Sequence, residues 1–253
     1  MASAPPPGAA PTGPASGASF RAALDPALRA RVADSIELLQ RAVAEHGRVV
    51  YASSLGAEAI VLTDLIWTDV PGIDIVTIDT GRLPRETLEL LERIERHYQK
   101  RMRVFTPEAG AVEDYVNEHG INAFYRSLEL RQRCCAVRKS APFERAIRGY
   151  AAWVTGVRNG QSEGRASVQP LERDARNGLM KVSPLLAWTH DEVWQYIRAA
   201  RLPYNPLHDQ GYPSIGCAPC SRAIEPGQDE RAGRWWWEHP DSRECGLQPR
   251  TRA

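Results

Sequence analysis

The chain has 253 residues, 43% hydrophobic and 25% charged, with a formal net charge of +1. That length supports one large domain or two small ones, and so even a charge gives no pull toward nucleic acid or a membrane surface. No apolar run reaches the roughly 18 residues of a membrane span, and the N-terminus lacks the charged region and apolar core of a secretory signal.

Residues 1–20 are Ala, Pro, Gly and Ser with few large apolar side chains, and read as a disordered tail. Asp25-Pro26 supplies an N-cap with proline at the first helical position. Leu28, Val32, Leu39 and Val43 form a helical stripe that Gly47 closes. The apolar run 48–52 reads as a buried strand. It ends in Ser53-Ser54-Leu55-Gly56-Ala57-Glu58, followed by a helical run, Ala59–Trp67. Strand, small polar turn and helix aim free backbone N–H groups at an anion. The turn lacks the GxxxxGK[ST] pattern of a Walker A loop, and many βα turns look like it.

Ile73–Ile78 is a second strand, ending in Asp79-Thr80-Gly81-Arg82-Leu83-Pro84 before a helix to Tyr98. Met102–Phe105 is a third strand, and residues 111–150 read as helical. Ala152–Thr155 is a fourth, ending in the polar turn 156–166. Thr189 and Glu192 make a capping box for a helix through Arg201. Pro203, Pro206 and Pro213 make the next stretch loop, and Trp235-Trp236-Trp237 reads as a packing anchor. His190, beside the helix cap, and His208, in the proline-rich loop, read as structural. Strands alternating with helices predict an α/β fold, a parallel sheet with helices on both faces. Ligands bind such sheets at the carboxyl ends of the strands, where the turns at Ser53 and Asp79 lie.

The cysteines carry most of the chemistry. Cys134-Cys135 and Cys217-Ala218-Pro219-Cys220 are two close pairs, and Cys245 stands alone near the C-terminus. Two pairs suggest a four-thiolate metal site, and a solitary thiol suggests a nucleophile. Buried structural cysteines, a redox pair and structural zinc compete with that reading. A redox pair at Cys217 and Cys220 would follow a strand, whereas 212–216 reads as loop. Adjacent cysteines are unusual for zinc, yet spacing alone leaves zinc and iron–sulfur both open. Without an export signal, the five thiols point to a reducing cytoplasm. Lysine occurs only at Lys100, Lys139 and Lys181, against 29 arginines, so Lys139 four residues after Cys135 stands out.

Taken together, Ser53–Glu58, Asp79–Leu83, Cys134-Cys135 with Lys139, Thr155–Arg158, Gln161-Ser162 with Arg165-Ala166, Gly216–Cys220, Glu230–Trp237 and Glu244–Leu247 resemble the assimilatory sulfonucleotide reductases. The likeness is to the bacterial iron–sulfur adenylylsulfate (APS) reductases in particular, and it runs in order over residues 25–248. It implies a Rossmann-like fold of the adenine nucleotide alpha hydrolase type. On this reading 1–20 is the tail, 21–225 the nucleotide- and cluster-binding domain, and 226–253 the segment with the catalytic cysteine. The resemblance implies a [4Fe-4S] cluster on Cys134, Cys135, Cys217 and Cys220, and Cys245 as nucleophile. Substrate contacts fall to Ser53, Ser54, Leu55, Gly56, Thr80, Gly81, Arg82, Leu83, Lys139, Arg158, Arg165, Arg231 and Arg234. The implied reaction turns adenylylsulfate into sulfite and AMP with electrons from thioredoxin, through an S-sulfocysteine, in the cytoplasm. Nucleic acid and membrane are not implied partners, and homo-oligomerisation is left open. The family segment usually ends ECGLH, whereas position 248 here is Gln248. Members with both cysteine pairs mostly use adenylylsulfate, which favours it over the 3′-phosphorylated form, PAPS. An iron–sulfur tRNA thiolase would want an SGGxDS-type loop and a basic surface, and a zinc-stabilised nucleotide-binding module would lack iron.

Overall fold

The computed structural model describes residues 17–161, 168–239 and 242. It begins with a short helix, α1 (Gly17–Ala22), so the expected tail gives way to helix at Gly17. The reason is tertiary: the Phe20 ring meets Tyr196 edge-on at 5.4 Å, and Arg21 pairs with Asp69 at 2.7 Å. In α2 (Pro26–His46) the Asp25 carboxylate accepts from the Ala27 amide, and Gly47 ends the helix at φ 70°. Leu28, Val32, Leu39 and Ala42 form its buried stripe.

Five strands run parallel: β1 (Val49–Ser53), β2 (Ile73–Ile78), β3 (Arg103–Phe105), β4 (Ala152–Val154) and, after β5 (Leu171–Asp174), β6 (Leu179–Val182). Their spatial order is β3-β2-β1-β4-β6-β5. The sheet is mixed, because β5 lies antiparallel to β6 as an edge strand. Sequence patterning missed that hairpin: Leu-Glu-Arg-Asp is too polar to read as a strand. Its charges suit an edge, where they discourage pairing with another sheet.

Helices cover both faces, as expected. Val49 and Tyr51 join the core under α2, α3 (Ala57–Asp69), α4 (Arg85–Tyr98) and α8 (His190–Ala199). Val50, Val76 and Trp153 pack on the other side against Phe143 and Ala146 of α7 (Ala141–Ala146). Helix α3 is buried nearly all round, from Ala57 to Ile66, because it lies under α2 and α8 rather than beside solvent. The predicted capping box at Thr189 and Glu192 is present, and α8 stops at Ala199.

The helical stretch after β3 is broken into α5 (Ala109–His119), a 3-10 turn (Ala123–Tyr125), α6 (Leu128–Cys135), a π turn (Ala136–Ser140) and α7. Pro142 explains the π turn. It has no N–H for the Arg138 carbonyl, and its ring crowds that carbonyl. The chain widens instead, and the Ala141 amide donates to Ala136. The order in which strands are added reverses between the parallel neighbours β1 and β4, so a crevice opens at their carboxyl ends.

Leu65 is fully buried and Leu88 is 43% exposed. Leu65→Ala is expected to cost about 2–5 kcal/mol in urea unfolding, and Leu88→Ala less than about 0.5 kcal/mol. Similar losses from both would contradict the placement of α3 in the core.

Candidate functional site

The crevice holds a cavity of about 260 Å³ walled chiefly by four pieces of chain, with the turn after β4 (Thr155 to Val157, and Gln161) closing it beside them. The first is the turn after β1, Ser53 to Glu58, where the Ser53 hydroxyl accepts from the Leu55 amide at 3.4 Å. Leu55 holds a left-handed φ of 59°, which turns the chain sharply into α3. The second is the turn after β2, where the Asp79 carboxylate accepts from the Gly81 amide at 2.8 Å. The third is the end of α6 with the π turn, bearing Cys134, Cys135, Arg138 and Lys139. The fourth is the loop Pro213–Cys220 with the turn segment 230–235, joined to it by a single antiparallel bridge between Ser221 and Arg234.

These pieces are tied together. The Ala218 amide donates to the Arg82 carbonyl at 2.8 Å, and Thr80 Oγ1 lies 3.1 Å from Cys217 Sγ. Arg138 donates to the Thr80 carbonyl at 2.9 Å, close under Gly81. Gly81 has φ 68°, and a side chain there would be strained and would press on that guanidinium. The Arg222 amide donates to the Gly233 carbonyl at 3.1 Å, joining the cysteine loop to the 229–234 segment. Gly216 lies flat on the Arg234 guanidinium, with no room for a Cβ.

Cys134, Cys135, Cys217 and Cys220 share one apolar cluster with Phe124, Trp235 and Trp237. Burial pushes the Cys220 thiol up to about 12, helped by Cys217 and opposed by Arg234. Burial also raises Cys134, against the charges of Arg138 and Arg82. Thiols so placed stay protonated until a metal centre takes the proton's place. Donors around them are in excess: the indole N–H groups of Trp235 and Trp237 and Nε of Arg234 are buried without a partner among the described residues. Surplus donors beside four thiols fit an electron-rich, anionic sulfur group.

Of the residues expected at the substrate, Ser53, Ser54, Leu55, Gly56, Thr80, Arg82, Leu83, Lys139, Arg231 and Arg234 line the cavity. Arg82 sends its guanidinium away, to the Ile121 carbonyl at 2.6 Å and over the Phe124 ring. Gly81 and Arg158 are not on the wall. Arg158 is buried between Glu58, at 2.7 Å, and Glu230, at 2.9 Å. Cys245 and Arg165 lie outside the described residues. Sequence reasoning passed over Arg131, which pairs with Glu238 at 2.8 Å and stacks on Trp235. Among 29 arginines nothing in the sequence singles it out.

Comparison with known proteins bears on the same region. Residues 48–223 match the family model described as the phosphoadenosine phosphosulfate reductase domain. An adenosine 5′-phosphosulfate reductase from Allochromatium vinosum is 54% identical over 89% of this chain and 88% of its own length. One from Burkholderia cepacia is 48% identical over 89% and 90%. Among solved structures, the phosphoadenylyl-sulfate (PAPS) reductase of Candida auris in its phosphate complex superposes with a TM-score of 0.64 at 25% identity, covering 79% of this chain and 98% of that one. The FMN adenylyltransferase of Candida glabrata, at 13% identity and a TM-score of 0.57, shares the fold alone, over 90% of this chain and 80% of that one.

Gly216→Ala is expected to displace Arg234 while leaving the fold intact. Inorganic sulfate binding, followed by titration calorimetry, should weaken by about tenfold. Unchanged affinity would mean that Arg234 does not face the bound anion.

Proposed function

This chain belongs to the phosphoadenosine phosphosulfate reductase domain family, and on that premise we propose that it reduces adenosine 5′-phosphosulfate to sulfite and AMP in the cytoplasm, with thioredoxin as reductant. The observation that carries the reading is the cavity itself. One enclosed space brings together the β1 turn, the β2 turn, two cysteine pairs and the cations Lys139, Arg231 and Arg234. The Ser53 and Ser54 hydroxyls and the amino end of α3 suit the anionic end of the nucleotide, and Thr80 to Leu83 suit its adenosine end. Lys139 lines the cavity and has no ion pair among the described residues, so its ammonium is available to a substrate anion.

Cys134, Cys135, Cys217 and Cys220 would hold a [4Fe-4S] cluster. Support comes from their common apolar chamber and its surplus donors. When bound, the cluster supplies a covalent tie between the two cysteine segments and a fixed electrostatic centre beside Lys139. The scheme routes no electrons through it.

The thiolate of Cys245 attacks the sulfur of the sulfate group. The S–Cys bond forms, the sulfur–oxygen bond to the phosphate breaks, and AMP leaves with that electron pair. Both reactants are anions, so the cations on the wall offset their repulsion. A dithiol of thioredoxin then reduces the S-sulfocysteine. Sulfite departs with the electron pair of the S–S bond, Cys245 returns to the thiol, and thioredoxin becomes a disulfide.

Anaerobically purified protein should be brown and contain iron and acid-labile sulfide. Given adenosine 5′-phosphosulfate without thioredoxin, it should gain one sulfonate on the Cys245 peptide, seen by mass spectrometry. Colourless, zinc-loaded protein with full activity would reject the cluster, and normal turnover by Cys245→Ser would reject the nucleophile. A comparison of kcat/KM for the two sulfonucleotides at one thioredoxin concentration tests the substrate. Adenosine 5′-phosphosulfate should have the higher value; a preference for the 3′-phosphorylated form would transfer the chain to the other activity of its family.

A further inference from the structure

At the edge of the cavity lies a chain of four charges that the chemistry above does not use, two of which, Glu58 and Glu230, line it. Glu58 is on the first turn of α3, Arg158 follows β4, Glu230 precedes Arg231, and His190 opens α8. Arg158 Nε donates to Glu58 at 2.7 Å and Nη2 to Glu230 at 2.9 Å. Gln161 adds a bond to Glu58 at 2.9 Å, and His190 Nδ1 lies 3.2 Å from the other oxygen of Glu230. Gly156 permits the approach, since a Cβ there would stand 3.2 Å from that of Glu58.

We propose that Arg158 and His190 are positioning residues: they clamp Glu230, and with it the segment bearing Arg231 and Arg234, onto Glu58, and the proton on His190 sets the net charge behind the substrate anion. The inference rests on the reading of the cavity as a sulfonucleotide site. Arg158 between two carboxylates leaves one net negative charge. A protonated His190 brings the sum to zero. A neutral His190 leaves the negative charge facing a site that must accept an anion.

The surroundings allow that proton to exchange. His190 borders an open cleft whose charged and titratable groups are Asp191 and Arg198 on α8, His208 and Asp209 on the 206–210 turn, and Glu225 on the following loop. Glu230, Arg158 and Glu58 act on it from the cavity side, and His208 is coupled to it across the cleft. The hydrogen bond to Glu230 holds His190 above its ordinary 6.5, with burial working against it. Burial would raise Glu230, but His190 and Arg158 outweigh it and hold that carboxyl below its usual range. His208 is pushed down by burial.

The sign follows from linkage. A cation that favours anion binding does so while it is protonated, and the benefit fades as pH rises through its raised value. AMP affinity is the direct readout, because it needs neither cluster chemistry nor the nucleophile. Wild type and His190→Gln are titrated with AMP across the pH range. AMP ionises identically in both series, so the ratio of dissociation constants isolates His190. Wild type should bind about threefold to tenfold more tightly at mildly acid pH, and the curves should converge as pH rises through the raised His190 value. His190→Arg should bind tightly at both ends of the range. Arg158→Lys keeps the charge but cannot fork between two carboxylates, so KM for adenosine 5′-phosphosulfate should rise about tenfold while kcat changes less. His190 is on the surface, so its variants keep the fold. Parallel AMP curves for wild type and His190→Gln would overturn the inference while wild-type reduction of adenosine 5′-phosphosulfate still stood. A wild type that binds no AMP and reduces no sulfonucleotide would overturn both.

Discussion

Buried guanidinium is the constraint on which this site depends. Arg131 and Arg158 are 2% exposed, and Arg138 and Arg234 are 8% exposed, all within or just behind one crevice. A charge taken from water must be met by hydrogen bonds or counter-charge. Arg131 is met by Glu238, Arg158 by Glu58 and Glu230, and Arg138 by the Thr80 carbonyl. Each pairing joins segments far apart in sequence, so meeting the charges also assembles the walls. Arg234 differs. It stacks on the Trp235 ring and against Gly216, and its Nε has no acceptor among the described residues. A cation left short of partners at a cavity wall is a site for an anion from solution.

The sheet decides where this happens. With β1 flanked by β2 on one side and β4 on the other, the turns after the three strands open at one edge of the sheet, and the turn after β4 returns against Glu58 at the start of α3. The gap admits a ligand and gives it the amino end of α3. The connection from β3 to β4 passes across the other face, which carries Cys134 and Cys135 to the rim of the gap. Pro142 matters there, since the π turn it imposes sets the direction of Arg138 and Lys139 relative to the two thiols.

The thiol chamber and the anion wall share parts. Trp235 lies between the guanidiniums of Arg131 and Arg234, at 4.5 and 4.7 Å, while packing against Cys220. Its left-handed φ of 44° is a strained conformation for a bulky residue. The strain persists because packing on both sides over-determines it. Changes at the thiols and changes at the arginines therefore act on one another through a single indole.

Much of this was legible in the amino-acid sequence. Apolar runs located β1 and β2, an apolar stripe capped by Asp25 located α2, and α4 begins directly after Pro84 without a side-chain cap. Lys139, Arg231 and Arg234 were marked by neighbouring motifs, and all three line the cavity. The β5–β6 hairpin was not legible, since a polar edge strand is held by its partner rather than by its own pattern. The helical start at Gly17 was hidden for the same kind of reason: α1 exists where Phe20 finds Tyr196.

The arginines mark the boundary most sharply. Local sequence determined the strands, the helix caps, the two cysteine pairs and the turns, because each depends on residues within a few positions. Only the tertiary structure decided which of 29 arginines face the cavity and which are consumed in holding it together. Arg158 stands in a turn motif like the others, yet its charge is spent on Glu58, 100 residues earlier, and Glu230, 72 residues later. A guanidinium's role is set by the carboxylates it meets, and no local pattern records a meeting across that much chain.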